Sequence, residues 1–184
     1  MAAPGDDVAA LRVAVLTVSD GVSAGRREDR GGEAMTRALA DLGFRVAARR
    51  VVADEVDAVA EAIRAWCDGP DRVDVVVTLG GTGLGPRDVT PEATAPLLDR
   101  SAPGLAEALR HEGARHTLAA YLSRGVAGLR GRTLVVNVAG SEGAARDAAA
   151  LFGQLLAHAS HVLRGGGHEP GEGAAGRRPP GLAP

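Results

Sequence analysis

The 184-residue sequence contains no lysine, a single cysteine and few aromatic rings: one Trp, one Tyr and two Phe. Each shortage excludes something. Without lysine, all 21 basic residues are arginine, and a phosphate loop of the G-x-x-x-x-G-K-[ST] type cannot be built. The lone Cys67 rules out an internal disulfide and any C-x-x-C metal or redox motif, and it reads as a small apolar filler near a helix end. With so few rings, a core must come from Val, Leu and Ala. No run of ~18 apolar residues occurs, and the start lacks a basic stretch followed by an apolar one, so a cytoplasmic protein is expected, with no membrane partner. The formal charge is −2 with acids and bases interleaved, which gives no basic field for a nucleic acid. Hydrophobic residues make up 45% and charged ones 24%, ordinary for a folded chain. Glycine, at 26 residues, is present at about twice the ~7% share of an average protein.

Residues 1–10 are small, acidic and unpatterned, and read as a frayed lead-in. LRVAVLTV at 11–18 is a short apolar run rich in β-branched residues, as expected of a strand buried on both faces. After a polar loop through Gly32, Met35, Leu39 and Leu42 predict a helix over 33–42, with Gly43 just past its end. RVAARRVV at 45–52 alternates like a strand. Residues 55–66 then place Val56, Val59, Ala60, Ile63 and Trp66 on one helical face. VDVVVTL at 73–79 is the clearest buried strand, and it runs into GGTGLGPRDVTP. Helices follow over 92–98 and 105–115. No element is assigned to 116–131. RTLVVNV at 132–138 predicts a last strand, followed through AGSEG by an alanine-rich helix over 144–163 with Leu151, Leu155, Ala159 and Val162 inward. Strands alternating with helices predict an α/β fold, a three-layer α/β/α sandwich with a mostly parallel, doubly wound sheet over 11–164, whose ligands sit beyond the carboxyl ends of the strands. Residues 165–184, rich in Gly and Pro and without periodicity, are expected to be a disordered tail.

Three loops leave predicted strand ends with more polar residues than a connection needs: 19–32, 80–91 and 139–143. In the second, Gly80, Gly81 and Gly83 allow close backbone approach and turn N–H groups toward an anion, while Thr82 offers a hydroxyl. A tight turn is the plain alternative. GTGLGP fails the G-x-G-x-x-G dinucleotide fingerprint at Pro86. Asp54 and Asp88 are placed to face one crevice, where two carboxylates near a phosphate suggest Mg²⁺; equally, Asp54 could cap the helix beginning at Glu55 and Asp88 could cap or pair with Arg87. Asn137, the one asparagine, either fixes a loop or reads a ligand. Ser141 precedes a helix N-terminus, a ready anion site, and lies one residue from a G-x-S-x-G elbow, so a serine hydrolase is the rival class. It lacks suitably placed partners, since Asp147, His158 and His161 share one helix. His158 and His161, three apart, have no third metal ligand.

The run VVTLGGTGLGPRDVTPEA resembles the signature of the MoaB/Mog family of molybdenum cofactor biosynthesis proteins. The agreement extends in order through VSDGVSAGRREDRGG, VVADE, PGLAEALR, LSRGVAGLRGRTLVVNVAGS and LLAHASHVLRG. The resemblance implies a molybdopterin adenylyltransferase that uses Mg²⁺ and ATP, with the family's essential aspartates at Asp54 and Asp88. It further implies a nucleotide and pterin site at Ser19, Asp20, Gly80, Gly81, Thr82, Gly83, Ser123, Asn137, Gly140 and Ser141, a homotrimer, and a MoeA-type partner that takes the product. Two departures stand out. Where the family commonly has N-L-P-G-S-P this chain has NVAGSE, so Ala139 and Glu142 replace prolines and a carboxylate enters a phosphate site. TLAAYLSR likewise lacks a proline after Thr117. A non-catalytic molybdopterin-binding trimer is the alternative these departures leave open.

Overall fold

A computed structural model describes residues 11–163, with side chains through 156. The lead-in at 1–10, the tail at 165–184 and the side chains of His158, Ala159, His161 and Val162 lie outside the described residues. Six strands form one sheet in the order β2-β1-β3-β6-β5-β4. They are β1 (Arg12–Val18), β2 (Arg45–Val52), β3 (Val75–Leu79), β4 (Arg100–Ser101), β5 (Ala127–Arg130) and β6 (Thr133–Val138). β2, β1, β3 and β6 are mutually parallel, while β5 runs antiparallel to both its neighbours. The helices are α1 (Asp20–Ser23), α2 (Arg30–Asp41), α3 (Val56–Asp68), α4 (Thr90–Thr94), α5 (Pro103–Ala114) and α6 (Glu142–Leu163), with 3₁₀ turns at Ala95–Leu97 and Leu118–Leu122.

The sheet is covered on both sides, and alternation along β1 shows how. Val13 and Val15 join one core with Met35 and Leu39 of α2, Ala106 of α5 and Phe152 of α6. Ala14, Leu16 and Val18 join the other with Val59 and Ile63 of α3 and Ala93 of α4. This is the expected three-layer arrangement, and it is why the central strands read as continuous apolar runs. Cys67 fills space in the second core, where burial pushes its thiol up to about 11 and leaves it unreactive at neutral pH. The chain leaves β1 toward β2 and leaves β3 toward β6, so the strand order reverses between β1 and β3. A crevice forms at such a point, outside the carboxyl ends.

The structure corrects three expectations. α2 begins at Arg30, three residues before the predicted start, because Asp29 caps it by accepting from the Gly32 N–H at 3.0 Å. The unassigned stretch 116–131 contains the Leu118–Leu122 turn and strand β5, which pairs with the two-residue β4. The inward face of α6 is also different: Ala145, Ala148, Ala149, Phe152 and Leu156 are buried, whereas Leu155 is 41% exposed and Leu151 only partly covered. The helix is apolar nearly all round, so its leucines do not mark the packed face. Alanines let the backbone lie close to its neighbours, and Phe152 fills the space between them. Phe152→Ala is therefore expected to lower unfolding free energy by about 3–5 kcal/mol, and Leu155→Ala by less than about 1 kcal/mol, as read from urea midpoints. The reverse order would restore the leucine stripe.

Candidate active site at the strand ends

Four strand ends and two helix starts build the site. At the end of β1, the Ser19 N–H donates to the Val52 carbonyl at 2.9 Å, and its hydroxyl accepts from the Val22 N–H at 3.3 Å, starting α1. The next residue is interlocked with the end of β2. The Asp20 N–H donates to Asp54 Oδ2 at 2.7 Å, and the Asp54 N–H donates to Asp20 Oδ1 at 3.0 Å. Arg87 reaches over from the third loop, bonding both Asp20 carboxylate oxygens at 3.0 and 3.1 Å and Glu55 Oε1 at 2.7 Å. The guanidinium holds the Asp20 carboxyl below the usual carboxylate range. Burial pushes the Asp54 carboxyl up, and the charges of Asp20 and Asp88 push the same way. Asp54 makes no cap: the helix-capping position is Glu55, whose side chain caps nothing.

Gly80 and Gly81 both have positive φ, 101° and 61°, so the chain turns sharply as it leaves β3. The Gly80 N–H donates to the Val138 carbonyl at 3.0 Å, and the Thr90 hydroxyl donates to the Gly80 carbonyl at 2.8 Å. Asp88 closes the loop upon itself, its Oδ2 accepting from the Gly85 N–H at 2.8 Å; it does not pair with Arg87. Backbones from three segments meet beside this turn. A methyl group on Gly31 would stand 2.5 Å from the Gly140 carbonyl oxygen, and one on Gly140 would stand 3.1 Å from the Gly80 Cα. Gly31 has no room for a side chain, and at Gly140 the Gly80 backbone would have to give by a few tenths of an ångström.

The resulting cleft measures about 820 Å³ and is lined by Ser19, Asp54, Gly80, Gly81, Asp88, Gly140 and Ser141 among the sequence candidates. Asp20 supports Asp54 from beside it. Thr82, Gly83, Ser123 and Asn137 lie off this cleft; Ser123 and Asn137 border a separate cavity of about 50 Å³, room for little more than ordered water. The Ser123 hydroxyl donates to the Thr82 hydroxyl at 3.2 Å. Asn137 is 3% exposed and acts as an internal brace: its amide donates to the Thr78 and Thr94 hydroxyls, each at 3.0 Å, and accepts from the Val126 N–H at 3.2 Å. Ser141 is the cap of α6, its hydroxyl accepting from the Ala144 N–H at 3.2 Å, and Asp147 pairs with His116 at 3.5 Å, so among the described residues no nucleophile and base are assembled there.

The cleft also contains Glu142, the departure noted in the sequence, and residues the sequence did not reveal: Thr17, Arg27, Asp29, Arg30 and Gly31. Asp29 binds the Thr17 hydroxyl at 2.9 Å and Arg49 at 2.8 Å while capping α2. Reading Asp29 as a helix cap would have found it, but the following Gly31 and Gly32 suggested a loop. Glu142 turns its carboxylate to Arg146 at 2.9 Å, which offsets its charge at the rim. The N-termini of α2 and α6 both open on the cleft, with Arg27 and Arg30 beside them, an arrangement suited to an anion. Among the described residues no group of three His, Cys, Asp or Glu could hold a metal ion by itself. Two carboxylates facing helix N-termini and arginines fit Mg²⁺ instead, an ion that keeps waters and needs few protein ligands.

The glycine junction yields a direct test. Gly31→Ala should cost about 1–3 kcal/mol through overpacking although alanine is the better helix former by about 1 kcal/mol. Gly143→Ala, where a methyl would meet nothing within 4 Å, should be neutral or stabilising. Thermal melts of the two variants against wild type decide it.

Comparisons with known proteins agree with the fold. Residues 14–158 match the family described as "Probable molybdopterin binding domain". A molybdenum cofactor biosynthesis bifunctional protein of Chlorobaculum tepidum is 38% identical over 157 residues, 85% of this chain and 50% of that protein. A molybdopterin adenylyltransferase of Helicobacter pylori J99 is 35% identical over 142 residues, 74% of this chain and 78% of that one. The crystal structure of a molybdopterin biosynthesis enzyme MoaB from Thermus thermophilus superposes with a TM-score of 0.78 at 47% identity, covering 84% of this chain and 97% of that one. The chain spans about half the length of the bifunctional relatives it matches. With the family match over residues 14–158 and the superposition in agreement, the chain belongs to the MoaB/Mog family of molybdenum cofactor biosynthesis proteins.

Proposed function

We propose that the chain is a molybdopterin adenylyltransferase. An ionised phosphate oxygen of molybdopterin attacks the α-phosphorus of ATP, the bond from that phosphorus to the oxygen bridging to the β-phosphorus breaks, and pyrophosphate leaves, with AMP now on molybdopterin. A phosphate monoester is largely dianionic at neutral pH, so the attacking oxygen needs no general base. The protein's work is positioning and charge compensation. The observation that carries the reading is the placement of Asp54 and Asp88 on one cleft whose floor is the Gly80–Gly81 backbone. Those two carboxylates would hold Mg²⁺, which supplies positive charge to the phosphates as they react. The amides at the starts of α2 and α6 and the guanidinium groups of Arg27 and Arg30 would receive further phosphate charge. Ser19, Thr82, Ser123, Asn137 and Gly83 belong to the proposed site as its framework, and Asp20 as the support of Asp54.

The alternative, a binding-only trimer, would rest on Ala139 and Glu142 in place of prolines and on the missing proline after Thr117; the Glu142–Arg146 pair weakens the part that rests on the Glu142 charge. A homotrimer is part of the proposal, supported by the exposed Leu118, Tyr121 and Leu122 on one 3₁₀ turn. So is a MoeA-type enzyme as recipient of the product. Among the described residues no helix is long and apolar enough to cross a membrane.

Pyrophosphate release from ATP and molybdopterin tests the reading. Asp88→Asn is expected to lower kcat/KM by about 10²–10³-fold with the fold retained. Asp54→Asn should do the same while raising the melting temperature in Mg²⁺-free buffer near neutral pH. A carboxyl whose folded pKa is raised binds its proton more tightly in the native state, so stability falls as pH rises through that pKa, and an amide removes the penalty. Wild-type protein that binds molybdopterin yet releases no pyrophosphate would leave the binding-only trimer standing.

A further inference from the structure

Arg124 lies in the stretch where no element was assigned from sequence, and it makes more bonds to the glycine loop than any residue of the cleft does. Its Nε donates to the Gly83 carbonyl at 2.7 Å and its Nη2 to the Asp88 carbonyl at 2.6 Å. Nη1 pairs with Glu92 of α4, and Nη2 also reaches Glu92 Oε2 at 3.3 Å. Its own backbone N–H donates to the Thr82 carbonyl at 2.8 Å. One planar fork thus spans the loop from Gly83 to Glu92 and grips the peptide unit from which the Asp88 side chain departs.

The loop needs such a grip. Gly81, Gly83 and Gly85 make it costly to order, and its internal bonds between residues 81 and 90 are three: Asp88 N–H to Gly85 carbonyl at 3.0 Å, Gly85 N–H to Asp88 Oδ2 at 2.8 Å, and Thr90 N–H to Gly81 carbonyl at 3.0 Å. Arg124 is not among the residues lining the cleft, so it acts through the loop rather than on a ligand. We propose that Arg124 is a positioning residue that fixes Asp88 for the transfer reaction; this rests on the adenylyl transfer reading. Lysine keeps the charge opposite Glu92 but cannot reach both carbonyls in one plane.

The test uses the full chain with Arg124→Gln and Arg124→Lys. Hydrogen exchange followed by mass spectrometry should show amides of 81–90 exchanging roughly tenfold faster or more in the glutamine variant, less so with lysine, while peptides of β3 and β6 stay as protected as in wild type. In the pyrophosphate assay, kcat should fall about 10–100-fold, the Mg²⁺ concentration for half-maximal rate should rise, and KM for molybdopterin should hardly move. Lysine should restore part of the rate, and it is the arm that decides if the glutamine variant fails to fold. Unchanged exchange in 81–90 overturns the proposal, as does a loosened loop with unchanged kcat and Mg²⁺ requirement. A wild type that releases no pyrophosphate overturns the transfer reading instead, and the exchange arm then decides alone whether Arg124 holds the loop.

Discussion

The structure depends on a contact of backbone with backbone. Where the ends of β3 and β6 meet the start of α2, Gly80, Gly140 and Gly31 stand so close that a Cβ on Gly31 would collide with the Gly140 carbonyl and one on Gly140 would press on the Gly80 Cα. Side chains elsewhere in the core can yield by a rotamer; peptide groups yield less readily, and here Gly31 is held in α2 while Gly80 and Gly140 directly follow the ends of β3 and β6. The junction therefore sets the distance between the glycine loop and two helix N-termini, and with it the width of the cleft. Three of the 26 glycines have their structural reason here.

Around this rigid junction the charges are arranged in opposition. Asp54 is half-buried with two other carboxylates acting on it, a state that raises its proton affinity and works against folding. Asp20 holds Asp54 by paired backbone bonds, and Arg87 in turn holds Asp20. Across the cleft, helix N-termini and arginines provide the opposite sign. Such an arrangement is costly in an empty protein, and on the proposed reading polyphosphate and a divalent cation would make it favourable. A stabilising loss-of-function substitution at Asp54 would be its signature.

Much of the fold could be read from the sequence because its signals are local. β1, β3 and β6 are largely apolar runs of five to seven residues, and their shortness and β-branched residues mark them as strands covered on both faces. The start of α2 could not be read, because Gly31 and Gly32 are there for close packing, and that same composition denotes a loop when read locally. β5 was hidden for another reason: Ala127, Gly128, Leu129 and Arg130 carry no strong propensity, and pairing with β6 and β4 makes them a strand. In α6 the alanines that approach the core are indistinguishable by hydropathy from exposed ones. At the site, Asp54 and Asp88 were visible as carboxylates at strand and loop ends. Asn137 and Arg124 were ambiguous or invisible, since their roles lie in partners 43 and 36 positions away in the chain.

The central claim is that the cleft held open by the three glycines receives the nucleotide's phosphates. A crystal structure of the protein with ATP and Mg²⁺ tests it most directly. The account predicts a triphosphate lying against the Gly80 and Gly81 backbone, at the N-terminus of α2, with the metal shared between Asp54, Asp88 and phosphate oxygens. A nucleotide bound away from that floor, or one whose metal touches neither aspartate, would contradict it.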